Sequence, residues 1–151
     1  MTEASLAELL AHEPPMLLLD TLVSVDADGS CCELTVTEDM PFFDSRSGLP
    51  GWVGIELMAQ TIAVWGGWQS KNEGRGVNLG LLLGSRKYES KVEGFAKDSR
   101  LTIDARKVIR DKNLGVFQCT ISMGDAIVAT AQVNTYLPCE DELNMILARQ
   151  F

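Results

Sequence analysis

Histidine is almost missing from this chain: His12 is the single imidazole among 151 residues. A histidine-rich metal site is thereby excluded. Cations are also short, with 13 Lys and Arg against 21 Asp and Glu. The resulting net charge of -8 argues against nucleic acid as a partner, since neutralising phosphates takes a surplus of Lys and Arg. The cysteines Cys31, Cys32, Cys119 and Cys139 lack the CxxC spacing of a zinc site. Adjacent Cys31 and Cys32 would face opposite sides of a strand, and all four read as small buried hydrophobes in a reducing compartment. There is no basic region followed by an apolar run at the N-terminus, and no uncharged stretch that spans a bilayer. No membrane insertion, no cofactor and a cytoplasmic location are expected.

The composition is that of a globular protein, with 46% hydrophobic residues against 23% charged. The length suits a single domain over 1–151 that buries a sizeable core by itself. No internal repeat, linker or low-complexity segment divides it.

The chain is organised around the stretch that opens with Pro50-Gly51 and runs to about Asn72. Proline is tolerated at the start of a helix. Beyond Gly51 the stretch is apolar almost all the way round: Trp52, Val53, Ile55, Leu57, Met58, Ala59, Ile62, Ala63, Val64, Trp65 and Trp68. A helix without a polar face is either a membrane span or the buried centre of a fold. The uncharged run Leu57 to Trp68 is too short to span. A central helix about 33 Å long, wrapped by the rest of the chain, is expected at ~1.5 Å per residue. Glu56 and Gln60 are four apart and share a face of it. The pair has two readings. Glu56 in the first turn favours the positive end of the helix dipole; or it is a buried acid, held by an amide, that carries proton transfer.

Around this helix the order of elements is clear. Ser5-Leu-Ala-Glu8 has the form of a capping box, giving a short helix over 5–11, inside an N-terminal segment 1–12. His12-Glu-Pro-Pro15 stops it. Met16 to Val25 reads as a buried strand. Asp26 to Gly29 is a turn, and Ser30 to Thr37 alternates, with Cys32, Leu34 and Val36 on one face. Glu38 to Leu49 is a loop anchored by Phe42-Phe43. After the helix come four strands: Val77 to Glu89, Leu101 to Arg110, Leu114 to Met123 and Ile127 to Leu137. Turns at 111–113 and 124–125 make hairpins of the last three. A tail over 139–151 carries a short helix. One helix against a largely antiparallel sheet of five or six strands is an α+β arrangement. Its open sheet edges favour self-association.

Three segments, in this order, resemble the hotdog-fold β-hydroxyacyl-[acyl carrier protein] dehydratases. They are His12-x-x-Pro-Met-Leu-Leu-Leu-Asp20, Pro50-Gly51 with Glu56-Leu-Met-Ala-Gln60, and Leu82-Leu-Gly-Ser-Arg-Lys-Tyr-Glu89. The likeness runs from about Leu10 to Leu137. Glu56 to Thr61, the Leu-Leu-Gly strand and Asn134-Thr-Tyr136 are most similar to a divergent branch, the dehydratase-like proteins of aryl polyene gene clusters. The resemblance implies a curved sheet round one helix and a site at a dimer interface. It implies Glu56 as the acid that helps the 3-hydroxyl leave, with Gln60 as its support. Backbone N–H groups at Gly51, Trp52 and Val53 would hold the thioester oxygen.

One departure stands out. The family's base is a histidine in a Gly-His-Phe-Pro-Gly loop, and here that loop reads Asp44-Ser-Arg-Ser-Gly-Leu49. The branch lacks this histidine too. His12 is the remaining imidazole, and either takes up proton abstraction or merely caps the first helix. Asp44 would serve only with a raised pKa, and Arg46 reads as a surface or substrate-orienting charge.

An acyl-carrier-bound thioester is the implied substrate, and the acidic carrier needs a basic patch. Arg86, Lys87, Lys91, Arg106, Lys107 and Arg110 are the candidates. A homodimer, a heterodimer with a paralogue or a higher oligomer is implied. Three activities compete: dehydration of 3-hydroxyacyl thioesters, a non-catalytic carrier-binding subunit, and a hotdog thioesterase whose helix carboxylate activates water.

Overall fold

The computed structural model describes residues 17–72, 81–111 and 114–136. The short helix over 5–11, His12, the tail after Pro138 and Cys139 lie outside them.

Strands β1 (Thr21–Asp26) and β2 (Gly29–Thr35) form a hairpin through the turn expected at 26–29. A two-residue strand β3 (Leu49–Pro50) leads into helix α1 (Val53–Asn72). After it come β4 (Leu81–Ser90), β5 (Gly94–Phe95), β6 (Arg100–Asp111), β7 (Leu114–Met123) and β8 (Ala126–Tyr136). The main sheet has six strands in the order β1-β2-β6-β7-β8-β4, all pairs antiparallel. With one long helix packed on one face, this is the α+β hotdog fold.

Period-two alternation turns one set of side chains toward the helix. Cys32 and Leu34 of β2, Leu101, Ile103 and Ala105 of β6, Phe117, Cys119 and Ile121 of β7, and Ala129, Ala131 and Val133 of β8 are all buried. They meet Val53, Leu57, Met58, Val64 and Trp65 of α1. Each large side chain buried this way contributes roughly 1.5–3 kcal/mol. The buried Trp65 ring meets Phe117 edge-on at 5.2 Å. Polar bonds fix the helix along its length: Ser30 Oγ donates to Thr61 O at 2.5 Å, and Trp65 Nε1 donates to Ala27 O at 3.2 Å.

Three expectations need correction. Met16 to Val25 is not a buried strand. β1 begins at Thr21, lies at a sheet edge and exposes most of its side chains. The buried leucines, Leu18 and Leu19, precede it in irregular chain, where a side-chain amide rather than a ladder partner takes the Leu18 N–H. Secondly, the sheet wraps the helix as expected, but the helix is not buried equally all the way round. Trp52 just before it is exposed, and Ile55, Glu56, Ala59 and Ala63 are partly buried, Ile55 and Ala63 packed against the core, so that this stripe is more open than the rest of the helix. These positions recur every three to four residues, so they share a face. Thirdly, a two-stranded sheet joins β3 to β5, pairing Leu49 with Phe95 and Pro50 with Gly94.

Candidate active site at the helix start

The small sheet sets the entry of α1. Gly48 adopts a φ of +80°, and a Cβ there would lie 2.2 Å from the Phe95 carbonyl oxygen, so only glycine lets the loop close against β5. Asp44 N–H donates to Gly48 O at 2.9 Å and Gly48 N–H to Asp44 O at 2.8 Å. The Asp44 carboxylate accepts the Arg46 N–H at 2.7 Å. That carboxylate is exposed and engaged in a turn, an arrangement of structural use. Arg46 is exposed as well.

Next comes Gly51. Its N–H donates to Glu93 O at 2.8 Å, and its carbonyl accepts the Tyr88 hydroxyl. The family resemblance implied Gly51, Trp52 and Val53 as donors to a thioester oxygen; the Gly51 N–H is already taken by Glu93 O, and Trp52 and Val53 are the other two. Neither of these two N–H groups has a partner among the described residues. They are the orphan donors of a helix N-terminus, where the dipole favours negative charge.

One turn further on, Glu56 and Gln60 form the pair expected from their spacing. Gln60 Nε2 donates to Glu56 Oε1 at 3.1 Å, and Gln60 Oε1 accepts the Leu18 N–H at 3.0 Å. Gln60 is fully buried while Glu56 is half-exposed on the open stripe. A buried amide is thus fixed at both ends and aims one N–H at the carboxylate. Trp52 projects into solvent beside Phe42, their rings edge-on at 5.2 Å. Phe42 holds a φ of 71°, which a bulky residue rarely adopts.

Four residues of the expected basic patch have described side chains. Arg106 pairs with Asp104 at 3.2 Å, and Lys107 lies 5.7 Å from the centre of the Trp65 ring. Lys87 and Lys91 are exposed, whereas the side chains of Arg86 and Arg110 lie outside the described residues. Trp65 is core and Trp68 is half-buried against it. Burial pushes the thiols of Cys32 and Cys119 up to about 12. No cluster of three or more His, Cys, Asp or Glu suited to a metal occurs among the described residues. No described helix is long and apolar enough to cross a membrane. Sequence reasoning missed Tyr88 and the Glu93 carbonyl, because both reach the helix start through pairings distant in the chain.

The hotdog architecture and the relatives this chain resembles define the class: an enzyme of acyl thioesters, of dehydratase type. The sequence profile of the ApeP-like family, described as ApeP dehydratase, matches residues 4–148, and the chain belongs to that family. Among solved structures it is similar to a chain of the dehydratase heterocomplex ApeI:P from Xenorhabdus doucetiae. That chain is 35% identical with a TM-score of 0.86, over 97% of this chain and 99% of the other. The 3-hydroxyacyl-[acyl-carrier-protein] dehydratase FabZ of Brucella melitensis biotype 2 is 28% identical over 143 residues, 91% of this chain and 89% of that protein. A hypothetical thioesterase with coenzyme A from Streptococcus pneumoniae TIGR4 shares the fold alone, at 14% identity and a TM-score of 0.63 over 78% of this chain and 84% of that one.

Proposed function

We propose that this chain is a dehydratase of 3-hydroxyacyl-[acyl carrier protein] thioesters, giving trans-2-enoyl thioesters for fatty-acid or aryl polyene synthesis. The observation that carries the reading is Glu56, half-exposed on the open stripe and held by the buried Gln60 amide at 3.1 Å. The chemistry divides among few groups. A base removes the proton on C2, and the charge that develops on the thioester oxygen is met by the N–H groups of Trp52 and Val53. As the C2–C3 double bond forms, the C3–O bond breaks and Glu56 gives its proton to the departing hydroxyl, which leaves as water. Ile55, Ala59 and Ala63 provide an apolar wall for the acyl chain.

His12, the single imidazole of the chain, is the base we assign within it. A second reading takes the base from a paralogous subunit facing the open stripe, and is favoured by the heterocomplex in which the similar dehydratase chain was solved. On either reading the chain acts as one domain and as half of a dimer. Free Cys31, Cys32 and Cys119 suit a cytoplasmic location.

The test is mass spectrometry of a 3-hydroxyacyl carrier-protein thioester after incubation with the chain, alone and mixed with its paralogue. Loss of one water supports the dehydratase; release of a free acid supports a thioesterase instead. Loss of activity in His12→Ala assigns the base to this chain, whereas retained activity that depends on the paralogue assigns it to the partner. Carrier binding without any product would leave the non-catalytic subunit.

A further inference from the structure

We infer that Tyr88 is a positioning residue for this reaction: its hydroxyl fixes and polarises the Gly51–Trp52 peptide, so that the Trp52 N–H is presented to the thioester oxygen. The inference rests on the dehydratase reading above. Gly51 C=O and Trp52 N–H are the two ends of one planar trans unit and point in opposite directions. Tyr88 Oη donates to the Gly51 carbonyl, which also accepts the Gly54 N–H at 3.1 Å; together they orient that plane and draw electron density toward oxygen. A hydrogen bond at the carbonyl end strengthens the donor at the other end. The preceding peptide is held as well, by Gly51 N–H donating to Glu93 O at 2.8 Å. Both units are therefore gripped from the sheet side, while the Trp52 N–H has no partner among the described residues.

Two local irregularities serve this contact. The register of β4 against β8 shifts between Arg86 and Glu89, and Lys87 within the shift takes a φ of 61°. Left-handed lysine in a strand is uncommon, and such strain is retained where the surroundings use it. Here it accompanies the placement of Tyr88, half-buried, against the core and the helix start. The second is Gly54. Glycine is a poor helix former, yet a Cβ here would stand 2.1 Å from Tyr88 Oη. Its absence makes room for the hydroxyl. Burial pushes the Tyr88 phenol above its ordinary value, with a hydrogen bond to Ser90 opposing, so the group stays a neutral donor at working pH.

The experiment compares Tyr88→Phe with the wild type in the full chain, assembled with its paralogue where activity requires it. Removing an oxyanion donor outright costs two to three orders of magnitude, so weakening one that is kept should lower kcat about tenfold. KM should stay within about twofold, since a bond strengthened only in the transition state leaves ground-state binding alone. In 15N-labelled protein the Trp52 amide proton should move upfield, while that of Val64 stays in place. An unchanged kcat, a KM that rises in step with the fall in kcat, or an unmoved Trp52 resonance would each overturn the inference. A wild type that forms no enoyl product would refute the dehydratase reading separately. The Trp52 resonance then decides whether Tyr88 polarises the peptide.

Discussion

Gln60→Leu is the substitution that probes the support of the acid most sharply. The side chain is fully buried, accepts the Leu18 N–H at 3.0 Å and donates to Glu56 at 3.1 Å. Leucine has nearly the same volume but can do neither. Leaving the buried Leu18 N–H without this acceptor costs about 1–3 kcal/mol, and the bond lost to a carboxylate is of the order of 1.5–3 kcal/mol. Burying a leucine in place of an amide returns part of this, so a net loss of about 2–4 kcal/mol is expected. At about 2–4 °C per kcal/mol for a chain of this size, the thermal midpoint should fall by roughly 5–15 °C. Gln60→Glu keeps an acceptor for Leu18 but buries a second carboxylate facing Glu56. Its midpoint should fall at least as far as that of Gln60→Leu, and its dehydration rate should fall too. Calorimetry beside steady-state kinetics reads both. A Gln60→Leu protein that melts within about a degree of the wild type, at full kcat, would refute the role given to this amide.

Three further outcomes are expected. Cys32 and Cys119 have their thiols pushed up to about 12 by burial. The folded state therefore favours the protonated form, so their contribution is full below about pH 9 and is lost as pH rises from there toward about 12, by up to roughly 4 kcal/mol for each thiol; urea melts across that range check it. Gly48→Ala places a Cβ 2.2 Å from the Phe95 carbonyl at a φ of +80°. It should cost about 1–3 kcal/mol, seen in the same melts, because both the clash and the left-handed backbone oppose it. Trp52→Ala removes a side chain that is 58% exposed, so the melting of the isolated chain should change by less than about 0.5 kcal/mol. If the open stripe faces a second subunit, the same change should weaken assembly by roughly 2 kcal/mol in ultracentrifugation, as anchoring aromatics do.

Much of the fold is legible in the residues themselves. The helix announces itself by an apolar run after Pro50-Gly51, and β2 and β6 to β8 by alternation, because both signals are local. The Glu56–Gln60 pair is evident from four-residue spacing alone. Other features depend on what pairs with what. Two-residue strands such as β3 and β5 have no period to detect, so the small sheet that sets the helix entry is invisible. Leu17 to Leu19 are apolar whether they lie in a ladder or, as here, in irregular chain sealed by Gln60. Gly51 shows the same limit at the site: nothing local reveals that Glu93 occupies its N–H, or that a register shift brings Tyr88 to its carbonyl. The family resemblance supplied roles for residues, and the geometry narrowed which of them are available.

The central claim is that Glu56 delivers the proton that lets the 3-hydroxyl leave. The most direct measurement is single-turnover mass spectrometry of a 3-hydroxyacyl carrier-protein thioester, comparing the wild type with Glu56→Gln in the assembled protein. Glutamine preserves shape but has no carboxyl proton to give. The rate of water loss should drop by about two orders of magnitude or more, with carrier binding retained, as removal of a general acid does. A Glu56→Gln protein that forms the enoyl thioester at the wild-type rate would contradict the account.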